Sequence, residues 1–185
     1  MVNSMKIISI DDFDINLKKL HEKQRIVCEF LLDFFKEIEN GYKECNVSFL
    51  RTENNLEAKL YFAPFNVESY EIAIYVSNVA VLIELNGWHE HFYYDKLDSV
   101  GVFLKDLKNF LIFILSDACK LLIFKSDNRP YKWNLMFIKE NKLISSTGLF
   151  FYNFFGKKSV LEKKAALFKD SSFVSASMFL QKYLA

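Results

Sequence analysis

The sequence predicts an α+β fold, organised as one domain over residues 1–185. Three observations lead there. From Ser69 to Asp95 three β-rich runs follow one another, separated only by Ser77-Asn78 and Asn86-Gly87. An amphipathic helical pattern follows over about Asp98–Cys119, and another precedes over about Ile15–Glu39. Strands joined by tight turns pair antiparallel, and helices placed before and after them cover one face of the sheet.

The order of elements starts with a short strand or arm at Ile7, Ile8 and Ile10. Asp11, Asp12 and Asp14 then suit the positive end of a helix dipole, with Asp14 as the cap. Leu17, Leu20, Val27, Cys28, Leu31, Phe35 and Ile38 keep near-helical spacing, Phe30 and Phe34 widen the stripe, and Asn40-Gly41 is a stop signal. Strands are expected over about Cys45–Thr52 and Leu56–Ala63, around a polar turn at Glu53-Asn54-Asn55, with Pro64 ending the second.

In the central meander Asn86-Gly87 is a type I′ hairpin signal, because both turn residues need positive φ. Alternation puts Tyr70, Ile72, Ile74 and Val76, then Val79, Val81, Ile83 and Leu85, then Trp88, Phe92 and Tyr94 on one core face, with Glu90 intruding. The other face carries Glu71, Ala73, Tyr75, Leu82, Glu84, His89, His91, Tyr93 and Asp95. With the two preceding strands this makes an antiparallel meander of about five strands. The helix at about Asp98–Cys119, with Val100, Phe103, Leu104, Leu107, Phe110, Leu111, Ile114 and Leu115 in phase, packs on its apolar face.

Leu121–Lys125 and Tyr131–Ile138 then read as a hairpin around Ser126–Pro130, with another strand beginning near Leu143. Leu149–Phe155 is apolar on both faces and is either core or interface. Ser159 with Glu162 fits a capping box opening a short helix to about Phe168, and a last helix is expected near Ser172–Tyr183.

Composition narrows the function classes. Hydrophobic residues make up 51% of the chain, which excludes a disordered polypeptide. The 20 Phe accompany abundant Lys, Asn and Ile, as an AT-rich coding sequence would give, and carry no functional reading. Residues 1–100 hold 10 Lys and Arg against 17 Asp and Glu, net −7; residues 101–185 hold 14 against 6, net +8. Acidic and basic faces of this kind steer partners if the halves stay apart in space. Cys28, Cys45 and Cys119 form no CxxC pair and read as reduced, buried thiols. No signal peptide is apparent, and the apolar run Phe110–Leu115 is far short of the roughly 20 residues a membrane span needs. The expected protein is soluble and cytoplasmic, without a membrane partner or a cofactor.

Chemistry-bearing motifs are sparse. His89-x-His91 places two imidazoles on one strand face, where they could share an ion or divide acid and base work in a hydrolase. A metal site needs further ligands, for which Glu71, Glu84 and Asp95 are the nearest candidates in sequence. GxSxG, HExxH and P-loop patterns are absent. The second half is rich in lysine, including Lys120, Lys125, Lys132, Lys157 and Lys158, with Tyr131 and Trp133 available to stack on bases. Arginine is scarce, which argues against sequence-specific base reading and disfavours nucleic acid as the partner.

The pattern NGWHEHF at Asn86–Phe92, followed by an amphipathic helix and a hairpin ending in RPYKW at Arg129–Trp133, resembles the small α+β immunity proteins that bacteria make against secreted polymorphic or contact-dependent toxins. The resemblance is one of size, layout and character over most of the chain. It implies a non-enzymatic cytoplasmic protein that neutralises a cognate toxin domain, often a nuclease, by covering it. Tyr61, Glu71, Tyr75, Glu84, His89, His91 and Tyr93 are the expected contact surface, with the metal- or histidine-dependent hydrolase and the nonspecific nucleic-acid binder as alternatives.

Overall fold

The computed structural model describes residues 6–8, 20–41, 45–51, 58–64, 69–94, 99–148 and 156–165. The fold is α+β. Its elements are β1 (Lys6–Ile8), α1 (Glu22–Gly41), β2 (Cys45–Arg51), β3 (Ala58–Pro64), β4 (Ile72–Val76), β5 (Ala80–Leu85), β6 (Trp88–Tyr93), α2 (Val100–Leu115), β7 (Cys119–Ser126), β8 (Arg129–Phe137), β9 (Lys142–Gly148) and β10 (Lys158–Lys163). One sheet has the sequential order β1-β2-β3-β4-β5-β6, and a second has the order β10-β7-β8-β9. The pairings β1–β2, β2–β3, β3–β4, β7–β8, β8–β9 and β7–β10 are antiparallel.

The chain divides into two compact units. The first comprises residues 1–65, 71–84 and 89–105; the second comprises residues 66–70, 85–88 and 106–185. The division therefore falls within α2 and at the tip of the β5–β6 hairpin.

In the first unit α1 begins later than its hydrophobic pattern suggests. Leu20 and His21 are non-helical, so the expected start at Ile15 is corrected to Glu22. The side chain of Gln24 provides the reason. Its Oε1 accepts from the His21 backbone N–H at 3.1 Å, the reach-back half of a capping box. Its Nε2 donates to the Val76 carbonyl at 3.3 Å, which ties the helix start to the end of β4. The proposed cap Asp14 lies outside the described residues. Val27, Cys28, Leu31 and Phe35 form the buried stripe of α1. They are joined in the buried set by Ile72, Ile74, Val76, Val81, Ile83 and Phe92, so the face assigned by alternation is the core face.

Val79 is the exception. It is 59% exposed, because the β4–β5 turn is Asn78-Val79 rather than Ser77-Asn78. The Ser77 side chain sets this turn: its Oγ accepts from Val79 N and Ala80 N, at 3.3 and 3.0 Å, and its backbone N donates to Ala80 O at 2.9 Å. Tyr94 closes the same corner, donating its hydroxyl to Ser77 O at 3.0 Å and resting its ring 5.1 Å from that of Phe103 on α2.

In the second unit α2 supplies Leu107, Phe110, Leu111, Phe113 and Ile114 to the buried set. Ser99 caps the helix, its Oγ accepting from Val102 N at 3.3 Å. Val100, assigned to the apolar stripe, is exposed. The helix ends at Leu115, four residues short of the expected Cys119. There Ser116 Oγ donates to Phe113 O at 2.7 Å and accepts from Ala118 N at 3.1 Å, which turns the chain. Cys119 therefore opens β7. Trp88 stacks on Phe110 at 5.9 Å, and the fully buried Tyr70 donates its hydroxyl to Ile114 O. Trp88 is itself fully buried, and its indole N–H has no hydrogen-bond partner among the described residues.

The β7–β8 turn is narrower than the Ser126–Pro130 loop read from the sequence. Asp127 and Asn128 both take positive φ, 49° and 65°, giving a two-residue turn with Arg129 and Pro130 already in β8. The segment after Gly156 is the largest correction. Ser159–Glu162 is not a helix start but lies in β10, paired along β7 from Lys158↔Ser126 to Lys163↔Leu121. The expected features at 53–55, 149–155 and 172–183 lie outside the described residues.

Candidate functional site

The contact surface expected from alternation lies on the sheet face opposite the core. Two tight turns build it. Asn86 and Gly87 have φ of 47° and 99°, the left-handed pair the sequence signal demands. A two-residue turn puts Glu84 opposite His89 and Leu82 opposite His91, and Tyr94 N donating to Val79 O at 3.1 Å keeps this register to the far end. On the other side, Tyr61 pairs with Ala73 and Lys59 with Tyr75 in the β3–β4 register. Tyr61 thus holds the register position beside this face.

The turn is held from outside the hairpin. The Trp133 indole N–H donates to Asn86 O at 2.9 Å, and its ring lies where a Cβ on Gly87 would stand, 2.9 Å from Cζ2. Only glycine satisfies both the backbone angle and the packing. Trp133, expected to be available for stacking on bases, is instead a structural clamp.

His89, His91 and Tyr93 are all exposed, on the side of β6 opposite the buried Trp88 and Phe92. Their rings form a ladder. His89 and His91 meet edge to face with centroids 5.8 Å apart, and His91 stacks on Tyr93 at 5.7 Å with planes 14° apart. Glu71 is exposed, while Tyr75 and Glu84 are half-buried. The structure thus brings His89, His91 and Tyr93 into direct contact, and sets Glu84 in register with them. It places Glu71 and Tyr75 on β4 and its approach.

Two imidazoles hold a metal ion firmly only with further ligands. Among the described residues no group of three His, Cys, Asp or Glu side chains is placed to hold one. Cysteine chemistry is disfavoured by environment. Burial, with a smaller contribution from Glu29, pushes the Cys28 thiol up to about 12, and burial pushes Cys119 higher still, although the Tyr70 hydroxyl opposes it. Both thiols stay protonated and poorly nucleophilic near neutral pH. Burial also holds the Tyr70 and Tyr94 phenols above their usual range.

A second cluster, unrecognised in the sequence, lies on the β7–β8 ribbon and β10. Phe124 and Tyr131 have ring centroids 6.5 Å apart. Lys132 Nζ stands over the Phe124 ring at 5.6 Å, and Lys158 Nζ over Tyr131 at 5.4 Å. The only sequence signal was the interleaving of lysines with Tyr131.

Among the described residues no helix is long and apolar enough to cross a membrane. Compared with known proteins, the chain matches no family model, no curated protein and no solved structure.

Proposed function

We propose that this chain is a protein-binding module that acts as the immunity partner of a bacterial toxin domain, engaging it with the outer face of β4–β6. The observation that supports this reading is the ring ladder His89–His91–Tyr93, exposed on a strand whose other face buries Trp88 and Phe92. Rings held by a rigid strand lose little conformational entropy on binding, which is why aromatic anchors dominate the energetics of tight interfaces. Glu71 and Glu84 add negative charge on the same face, and the net −7 of residues 1–100 suits a basic partner such as a nuclease.

The test is a pull-down from source cells with a high-salt wash, followed by titration of the captured partner against variants. Tyr93→Ala and His91→Ala should each weaken binding by roughly tenfold or more, as expected for anchors near an interface centre. Unchanged affinity in both variants would remove this face as the contact surface. Failure to capture any stoichiometric protein at good bait expression would count against the immunity reading itself.

A further inference from the structure

We propose that the Phe124–Tyr131–Lys132–Lys158 cluster is a binding site for single-stranded nucleic acid, read by stacking and phosphate charge and not by base identity. It is a different surface from the β4–β6 face and does not depend on that reading.

The geometry starts from a bulge. Phe124 pairs with Lys132 and Lys125 with Pro130, so Tyr131 is the extra residue on β8. In a regular strand Tyr131 and Lys132 would point to opposite faces. A bulge re-aims one side chain so that two residues oppose one, and here both reach Phe124. Pro130 fits this position because proline is tolerated at bulges and edges. The result is a pair of half-buried rings flanked by two exposed lysines, of which Lys158 also donates its ammonium to Ser126 Oγ at 2.9 Å.

That combination matches what a single strand offers. Each base has a flat apolar face for a ring, and each phosphate a charge for a lysine. The two rings are tilted by 52° with centroids 6.5 Å apart, so each presents its own face, and a base stacks there as the overlying lysine moves to a phosphate. Lys125, Arg129 and Lys157 lie near the same turn and outnumber the Asp127 carboxylate in it, whose Oδ1 accepts from the Lys157 backbone N–H at 2.8 Å. Glu162 does not cancel this charge, because it is engaged by Lys120 at 3.2 Å and Lys164 at 2.8 Å. A single arginine, Arg129, in this region fits sequence-independent binding, since base-edge reading is chiefly an arginine property.

The experiment is fluorescence anisotropy of the full chain with a labelled oligothymidylate of about 12 nucleotides, within the span of known single-strand sites. Binding should weaken with salt, with a log–log slope of about −0.7 for each phosphate neutralised. Lys132→Glu with Lys158→Glu should reduce affinity at least tenfold and flatten that slope. Tyr131→Ala should lose roughly tenfold while Tyr131→Phe keeps binding, as stacking requires. Lys132→Glu by itself alters an exposed side chain and leaves the Lys158–Ser126 contact in place, so it remains informative if the other variants fail to fold. No binding at low salt, or binding unchanged by charge reversal, would overturn the proposal. So would equal affinity for polyglutamate, which would show an anionic protein surface to be an equivalent ligand.

Discussion

The strands β6 and β10 have the same length and opposite characters. Each runs for six residues and ends the order of its sheet. In β6 one face is buried through Trp88 and Phe92 while His89, His91 and Tyr93 are exposed. In β10 every residue from Lys158 to Glu162 is exposed, Val160 by 57%, and Lys163 is half-buried. Burial fixes β6, because a slip of one residue would send its rings to the wrong face. Pairing fixes β10: its backbone follows β7, Lys158 Nζ donates to Ser126 Oγ at 2.9 Å, and Lys163 Nζ donates to Ser69 O at 3.1 Å. Gly156 lets the chain approach, since a Cβ there would collide with Ser126 and Asp127 side-chain atoms. Being a strand and being part of a core are thus separate properties, and only the second leaves an alternating pattern in the sequence.

The largest effect should come from the buried side of this contrast. Trp88→Ala is expected to cost about 3–5 kcal/mol in urea unfolding, as for large aromatic-to-alanine changes in cores. Val160→Ala in β10 should stay within about 0.5 kcal/mol. A Val160→Ala cost on the order of 2 kcal/mol would break the comparison, because it would mean that β10 is packed in solution.

The turn that carries β6 into place comes next. Gly87→Ala should destabilise by about 1–2 kcal/mol, from left-handed backbone strain and displacement of the Trp133 ring. Gly101→Ala at the start of α2 is the control. Its added Cβ meets nothing closer than 3.9 Å and its backbone is helical, so stability should rise by up to about 0.5 kcal/mol. If both substitutions destabilise alike, the special role of the Asn86-Gly87 turn is wrong.

The smallest effect belongs to β10. The Lys164 ammonium, and less strongly Lys120, holds the Glu162 carboxyl below the usual carboxylate range against the opposing effect of burial. A depressed folded pKa contributes stability above the unfolded pKa, about 4.3, and loses it as pH falls through the folded value. Because the pair is largely exposed, screening limits it to about 0.5 kcal/mol. The urea midpoint of Glu162→Gln should therefore lie slightly below that of wild type at pH 7 and converge with it near pH 3. A constant gap across this range would show the carboxylate charge to be irrelevant.

Much of the candidate surface was legible because its determinants are local. The left-handed requirement of Asn86-Gly87 and the alternation of WHEHFY predict which rings share a face, and His89, His91 and Tyr93 do so. Val79 was misassigned because alternation was carried through a turn that Ser77 terminates with its own hydroxyl. The Phe124–Tyr131 pair was not legible, since a bulge shifts register by one residue and shows only in the pairing partner. Trp133 was misread as a free ring because its partner, Asn86 O, lies 47 residues earlier.

By itself the sequence determined the α+β class, the turn at Asn86-Gly87, the buried face of the meander and the apolar stripe of α2. Each of these follows from backbone sterics or from a hydrophobic period within a few residues. The tertiary structure decided the rest. The Ser159–Glu162 spacing satisfies a helix cap as well as it satisfies a strand, and a short segment gains too little from helix nucleation to decide alone. The open edge of β7 resolves the choice, because pairing there satisfies alternate backbone groups of the segment along its length.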